Sequence, residues 1–225
     1  EHTGAWPADS YYAELNGVWT DASVDNDTSA RLANRNVPGD GKFDQSIIPS
    51  AVELQVGRID FRRINAPAFG EANAIGLVRR YLDKNHAWRT GAYTVDNKAL
   101  VDDNFGFFGT EAFAASGYKN FGPLVGPENV KSDDYFATTA DSSYLWAYGC
   151  GGGWYQGAGG IGSTGDFANS NTQSVFSLLF GSYFGDWDSQ DNFLRAPLAQ
   201  GTTLTNAWSG RPHWILHHMG LGENI

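Results

Sequence analysis

Ser143-Tyr-Leu-Trp-Ala-Tyr148 and Ser174-Val-Phe-Ser-Leu-Leu-Phe180 are the two most hydrophobic strand-like runs of the chain, and each empties into a glycine turn. Gly149-Cys-Gly-Gly-Gly-Trp154 follows the first, and Gly181-Ser-Tyr-Phe-Gly-Asp-Trp-Asp188 follows the second. Short apolar runs bounded by turn residues read as buried strands. Outward from them, Lys98-Ala-Leu-Val-Asp-Asp103 reads as another buried strand, ending in two carboxylates, and Thr203 to Trp208 as a further one. Helical spacing of Ile75, Val78 and Leu82, with Leu77 and Tyr81 alongside, predicts a helix within Phe69 to Trp88. Further helices are expected from Thr110 (as N-cap) to Tyr118, from Asp133 to Thr139, and from about Ser189 to Leu198. Strands alternating with helices predict an α/β fold: a mainly parallel sheet with helices on both faces.

Residues 1–50 read as a loop-rich, acidic N-terminal region, and Val52-Glu-Leu-Gln-Val-Gly-Arg-Ile59 alternates as a strand would. No repeat or low-complexity linker divides the sequence, so residues 1–225 are expected to form a single domain. The sequence stops at Ile225 in what reads as a continuing helix or turn, so a portion of something longer is expected.

Composition removes several function classes. A net charge of −10 and a pI near 4.8 leave no basic face to neutralise phosphates, so no nucleic-acid partner is expected. The only basic doublets, Arg62-Arg63 and Arg79-Arg80, read as solvated surface. A single cysteine, Cys150, excludes an internal disulfide and a multi-cysteine metal site. No apolar run approaches the ~20 residues of a membrane span, so no transmembrane segment is expected.

Ligands of parallel sheets bind beyond the carboxyl ends of the strands, where the loops after 98–102, 143–148 and 174–180 would converge. Glycines there, Gly149, Gly151 and Gly181, permit positive φ and bring amides near a ligand, as an oxyanion pocket requires. Cys150 and Ser182 are the candidate nucleophiles, and Asp186 and Asp188 are candidates to orient a base or bind a cation, with capping of the next helix the plainer reading. His213 and His217, four residues apart in the segment Arg211 to His218, are the candidate bases; as a pair they would also suit a metal. The plainer readings are a thiol packed in a crowded turn, a turn serine, and surface histidines. Asp102-Asp103 offer paired carboxylates at a strand end, where hydrogen bonding to loop amides is the ordinary role. Trp154, Trp187, Trp208 and Trp214 could line a surface for peptide or sugar, although core packing is their common use. Asp25, Asp27, Asp40 and Asp44 gather carboxylates around glycine turns that could hold Ca²⁺, without the closing glutamate of an EF-hand.

Several motifs recur in a telling order: Asp9-x-Tyr11-Tyr12-Ala13-x-Leu15-x-Gly17, Val56-Gly57-Arg58-Ile59 after an acidic loop, and the helix through Tyr81-Leu82-x-Lys84. The strand ending in Asp102-Asp103, the two hydrophobic strands with their glycine turns, and Leu194-Arg195-Ala196-Pro197 with a further strand complete the set. Together they resemble the gingipain-type cysteine peptidases, from about residue 9 to 210. The resemblance implies a caspase-like three-layer sandwich, an extracellular or cell-surface location, protein or peptide as partner, and structural Ca²⁺. In that family the first hydrophobic strand ends in a Gly-His-Gly turn that supplies the base, and the second in a cysteine nucleophile followed by Gly-Asp. Here the base position holds Cys150 and the nucleophile position Ser182, or Gly181 in a register shifted by one. A thiolate needs a neighbour that takes its proton. Losing such a unit costs about 10⁴–10⁶-fold in rate. The expectation is therefore a peptidase fold kept as a binding, structural or surface-assembly module. The alternative is an active cysteine-type endopeptidase or other hydrolase rewired around Cys150 or Ser182, and a third reading is sugar binding through exposed tryptophan.

Overall fold

The computed structural model describes residues 6–22, 28–43, 45, 47–65, 69–70, 73–106, 113–208 and 216. The chain gathers into two compact units, Glu1–Ile59 and Asp60–Ile225.

In the first unit the only α-helical turn described is α1, Ser10–Ala13. Its organising residue is Glu14, 5% exposed, whose carboxylate accepts from Asn16 N at 2.8 Å, Trp19 Nε1 at 2.7 Å, Gly17 N and the Ser50 hydroxyl. These donors, Ser50 foremost, hold its pKa below the usual carboxylate range. The strand expected over Val52 to Ile59 does not form. Val52, Leu54, Val56 and Ile59 are all at least 40% exposed, and the polar residues between them are exposed as well. Alternation stabilises a strand only when one face is buried against something.

The second unit is built on a five-stranded, all-parallel sheet. Its strands are β1 (Ala99–Asp103), β2 (Val130–Ser132), β3 (Tyr144–Cys150), β7 (Ser174–Phe180) and β8 (Thr205–Trp208), in the order β2-β1-β3-β7-β8. The three hydrophobic runs and the last strand thus fall where the sequence puts them, while the short edge strand β2 carries no hydrophobic run that announces it. Between β3 and β7 lie three two-residue strands, β4 (Gly153–Trp154), β5 (Gly157–Ala158) and β6 (Gly162–Ser163), forming an antiparallel ribbon.

Two cores lie on opposite faces of the sheet. Side chains alternate along a strand, so Leu100, Ala147 and Leu179 face one way and Ala99, Val101, Tyr148, Cys150, Leu178 and Phe180 the other. The first face packs against α2 (Ala74–Arg89), α4 (Tyr135–Asp141), α5 (Thr164–Asn169) and α6 (Ala196–Ala199). The second packs against α3 (Phe113–Val125). The result is a three-layer α/β sandwich, consistent with a caspase-like arrangement.

Helix α2 starts where Asn73 accepts from Gly76 N, and Leu77 and Tyr81, one turn apart, make its buried face. Ile75 and Leu82, which the periodicity had placed inward, are 65% and 51% exposed. Thr110, the expected cap of α3, lies outside the described residues, and the helix runs past Tyr118 to Val125 through Pro123. Asp134 caps α4 by accepting from Ala137 N at 2.7 Å. The long helix expected from Ser189 shrinks to the four residues of α6, so Asp188 caps no helix. The intervening backbone is instead held by side chains: Asn192 Nδ2 donates to the carbonyls of Phe184 and Asp186, and Arg195 Nη2 to that of Ser189.

Candidate functional site

In a parallel sheet of this order the connections run off to opposite sides between β1 and β3, and the carboxyl ends of those two strands are where folds of this kind bind ligands. The register places Asp102 beside Gly149, Asp103 beside Cys150, and Cys150 beside Phe180. Alternation then sends Asp103 and Cys150 toward the α3 layer and Asp102 toward the opposite one.

Cys150 is fully buried, among Phe113, Tyr148 and Phe180. Its Sγ donates to Asp103 Oδ1 at 3.5 Å, an oxygen that also accepts from Phe105 N at 3.1 Å and Gly106 N at 3.0 Å. Burial first, and the Asp103 carboxylate second, push the thiol up to about 12. The proton therefore stays on sulfur. A carboxylate accepts the hydrogen bond but its charge opposes thiolate formation, the reverse of what an imidazolium does.

Ser182 is half-buried and lies two residues beyond Phe180, the register partner of Cys150. Its backbone lies against the glycine turn after β3: a Cβ on Gly153 would come closer than 3.0 Å to both Ser182 N and Ser182 O. A Cβ on Gly181 would meet Gly151 O equally closely, and one on Gly151 would meet Gly159 O. Gly149, Gly151, Gly153 and Gly181 do not occupy the positive-φ region. Their missing side chains serve interlocking of two loops, backbone on backbone, rather than the left-handed turns anticipated. Gly151 N donates to Phe180 O at 3.0 Å, so that amide closes the sheet instead of facing an oxyanion.

Asp102 is the buried acid of the edge, 7% exposed. It accepts from Tyr135 N at 2.8 Å and Asn104 Nδ2 at 2.6 Å, yet burial outweighs these donors and raises its pKa to about 6. Tyr135, in turn, hydrogen-bonds through its hydroxyl to Ser177 at 2.7 Å and Ser174 at 3.2 Å. The carboxyl group thus ties the end of β1 to the start of α4.

Asp186 is 1% exposed and sits in a turn closed by its own N–H on Tyr183 O at 3.0 Å. Two residues that motif reading passed over as chemistry organise this loop. Asn192, fully buried, donates to Phe184 O, Asp186 O and Ser189 Oγ and accepts from Leu194 N. Arg195, 6% exposed, donates to the carbonyls of Asp60, Arg62 and Ser189. Beyond the interlocked glycines, Trp154, Tyr155 and Tyr183 form an aromatic group with centroids 4.8–5.6 Å apart, and Trp154 is 54% exposed. The other described tryptophans are half-buried; Trp208, for one, donates its Nε1 to Gly181 O at 2.7 Å.

His213 and His217, the candidate bases, lie outside the described residues, as do Trp214 and three of the four candidate calcium ligands, Asp25, Asp27 and Asp44. The fourth, Asp40, pairs with Lys42 Nζ at 2.9 Å. Among the described residues no three potential metal ligands come together, and no helix is long and apolar enough to cross a membrane. The only described histidine, His86, is exposed in the last turn of α2.

Fold and edge together define a three-layer α/β protein with a parallel sheet, its carboxyl rim closed by glycines and flanked by an open aromatic group. Against known proteins, no family model, no curated protein and no solved structure matches the chain.

Proposed function

We propose that this chain is a gingipain-like domain that lacks peptidase chemistry and serves at the cell surface as a binding or assembly module. The observation that carries the reading is the surroundings of Cys150, whose thiol is sealed in the α3-side core and faces the Asp103 carboxylate. A peptidase nucleophile must reach a substrate carbonyl and hand its proton to a base. Cys150 is fully buried, and among the described residues its thiol faces a carboxylate rather than an imidazole. The Ser182 backbone is packed against Gly153, and no hydrogen bond from its hydroxyl to a base is seen among the described residues. The family name and the surface location are supported by the order of motifs in the sequence.

The deciding experiment pairs a thiol-reactive peptide probe with a peptide-cleavage assay over a broad substrate library. No turnover, and slow labelling of Cys150 that peptides do not compete, are expected. Rapid, substrate-competed labelling, or cleavage abolished by Cys150→Ala with Ser182→Ala, would establish the rewired hydrolase instead.

A further inference from the structure

We propose that the outward stripe of helix α2, formed by Ile75, Arg79, Leu82, His86 and Arg89, docks an acidic amphipathic helix of a partner protein. The inference rests on the binding-module reading above and supplies that module's ligand class.

These five residues follow one another at steps of four, three, four and three within Ala74–Arg89. Residues three and four apart share a helix face, so the five form one line along the helix. The line runs on the side away from Leu77 and Tyr81, the buried face of α2. All five are exposed, Ile75 at 65% and Leu82 at 51%. A single exposed apolar side chain needs no account. Two of them in line, two turns apart and interleaved with cations, have the spacing of a seam that packs against another helix. A merely solvated face would carry polar residues at both places.

Charge selects the occupant. The helix holds four cations, Arg79, Arg80, Lys84 and Arg89, against one acid, Asp83, in a chain of 25 acidic and 15 basic side chains. Among the described residues none of the four joins an ion pair, whereas six other basic side chains do. Two of the four serve the loop after α6: Arg80 Nη1 donates to Gln200 Oε1 and Lys84 Nζ to Gln200 O, each at 3.1 Å. Arg79 and Arg89 remain on the outward stripe, Arg89 bonded to Asn85 Oδ1 at 3.4 Å. Cations left without a carboxylate, in a chain with carboxylates in excess, are complementary to a surface that brings its own. A helix with leucines flanked by glutamates does so. Its apolar residues cover Ile75 and Leu82 while its acids reach the guanidinium groups.

Other occupants fit less well. A second copy presenting the same stripe would set Arg79 and Arg89 against like charges. The chain's charge of −10 opposes both a phosphate backbone and an anionic bilayer. Two large apolar side chains also fall short of the broad apolar face with which a helix lies in a membrane surface.

The test uses the intact protein and two synthetic four-heptad helical peptides with leucine at a and d, one carrying glutamate and the other lysine at e and g. Binding is followed by calorimetry and by anisotropy of the labelled peptide. Saturable binding of the glutamate peptide is expected, and none of the lysine peptide. Leu82→Ala and Arg79→Glu should each weaken it roughly tenfold, with unfolding midpoints unchanged because neither side chain is buried. Raising salt from about 0.05 to about 0.5 M should weaken it several-fold. Equal binding of the two peptides, binding that either substitution leaves intact, or binding of neither peptide would overturn the proposal. Mass that grows with concentration in the protein alone, and no longer does in Leu82→Ala, would give the stripe to a second copy and overturn it too. So would capture by phosphatidylserine vesicles that Arg79→Glu abolishes. Failure of these peptides without peptide cleavage would leave the binding-module reading standing, whereas cleavage would remove that reading itself.

Discussion

Asp103 and Cys150 are cross-strand partners at the carboxyl ends of β1 and β3, and the thiol of one donates to the carboxylate of the other at 3.5 Å. In a parallel sheet, register partners share a face, so one pairing explains why the thiol meets an acid. It also explains why the thiol stays protonated, for the acid and the buried aromatic layer both oppose its ionisation.

That relationship has a pH signature. The folded thiol titrates near 12 and the unfolded one near 9, so between these values the unfolded chain has released a proton that the native chain keeps. The native state then binds more protons, and stability falls as pH rises through this window. The urea midpoint of the wild type should drop further between pH 8 and pH 10.5 than that of Cys150→Ala. The variant itself should lose only about 1 kcal/mol at pH 7, the cost of a small buried side chain. Equal drops in the two proteins would mean that the thiol is not held protonated.

Asp102 gives a second signature at lower pH. Its folded value near 6 lies above the ordinary 3.8, again because burial disfavours the charge. Between about 4 and 6 the native state retains a proton the unfolded state has lost. The contribution of this group therefore favours folding below pH 4 and declines until about pH 6. Asp102→Asn should flatten that part of the stability profile, measured by urea unfolding at half-unit steps from pH 4 to 7. It should also remove one of the two hydrogen bonds to Tyr135 N and Asn104 Nδ2, lowering stability at pH 4 by about 1 kcal/mol. An unaltered slope would assign the pH dependence elsewhere.

Adjacent glycines of the β3 turn should respond oppositely to one added methyl group. Around Gly152 a Cβ meets nothing within 4 Å, whereas on Gly153 it runs into the Ser182 backbone. Gly152→Ala should leave the thermal midpoint within a degree or two. Gly153→Ala must drive the two loops apart, with a loss of about 3 kcal/mol or more. Matching melting curves for the two would show that the loops are not interlocked.

The sequence carried the fold because hydrophobic runs bounded by glycine are hard to read as anything but buried strands. β7 was legible to the residue, and β3 fell short only because Gly149 and Cys150 look like turn residues yet complete its ladder. The exposed run at Val52–Ile59 misled for the opposite reason: an alternating pattern names a face but not what covers it. The glycines were recognised as important, but their use was misjudged, since φ and close backbone approach are properties of the three-dimensional neighbourhood. Trp154 was visible as a tryptophan and not as an exposed one. Nothing local in Asn192 or Arg195 hints that each gathers backbone carbonyls from a loop with no regular structure.

Arg195 shows what such a hidden residue is worth. Its guanidinium reaches Arg62 O at 2.6 Å, Ser189 O at 2.8 Å and Asp60 O at 3.0 Å, joining the 60–62 segment to the loop after β7. The Asp60 carboxylate, 3.9 Å away, balances its charge and is itself held below the ordinary range, chiefly by Arg62. A planar fork of donors fits carbonyls from separate segments in a way a lysine ammonium does not. Arg195→Lys should therefore lose most of the stabilisation, and Arg195→Met should cost about 3–5 kcal/mol by leaving buried carbonyls and Asp60 without their donor. Because Gln190 and Asp191 bond to Arg63 beside this junction, amide hydrogen exchange should quicken across 183–195 in Arg195→Lys while β1 and β3 stay protected. Uniform quickening over the whole sheet would mean that Arg195 supports the global core rather than this loop.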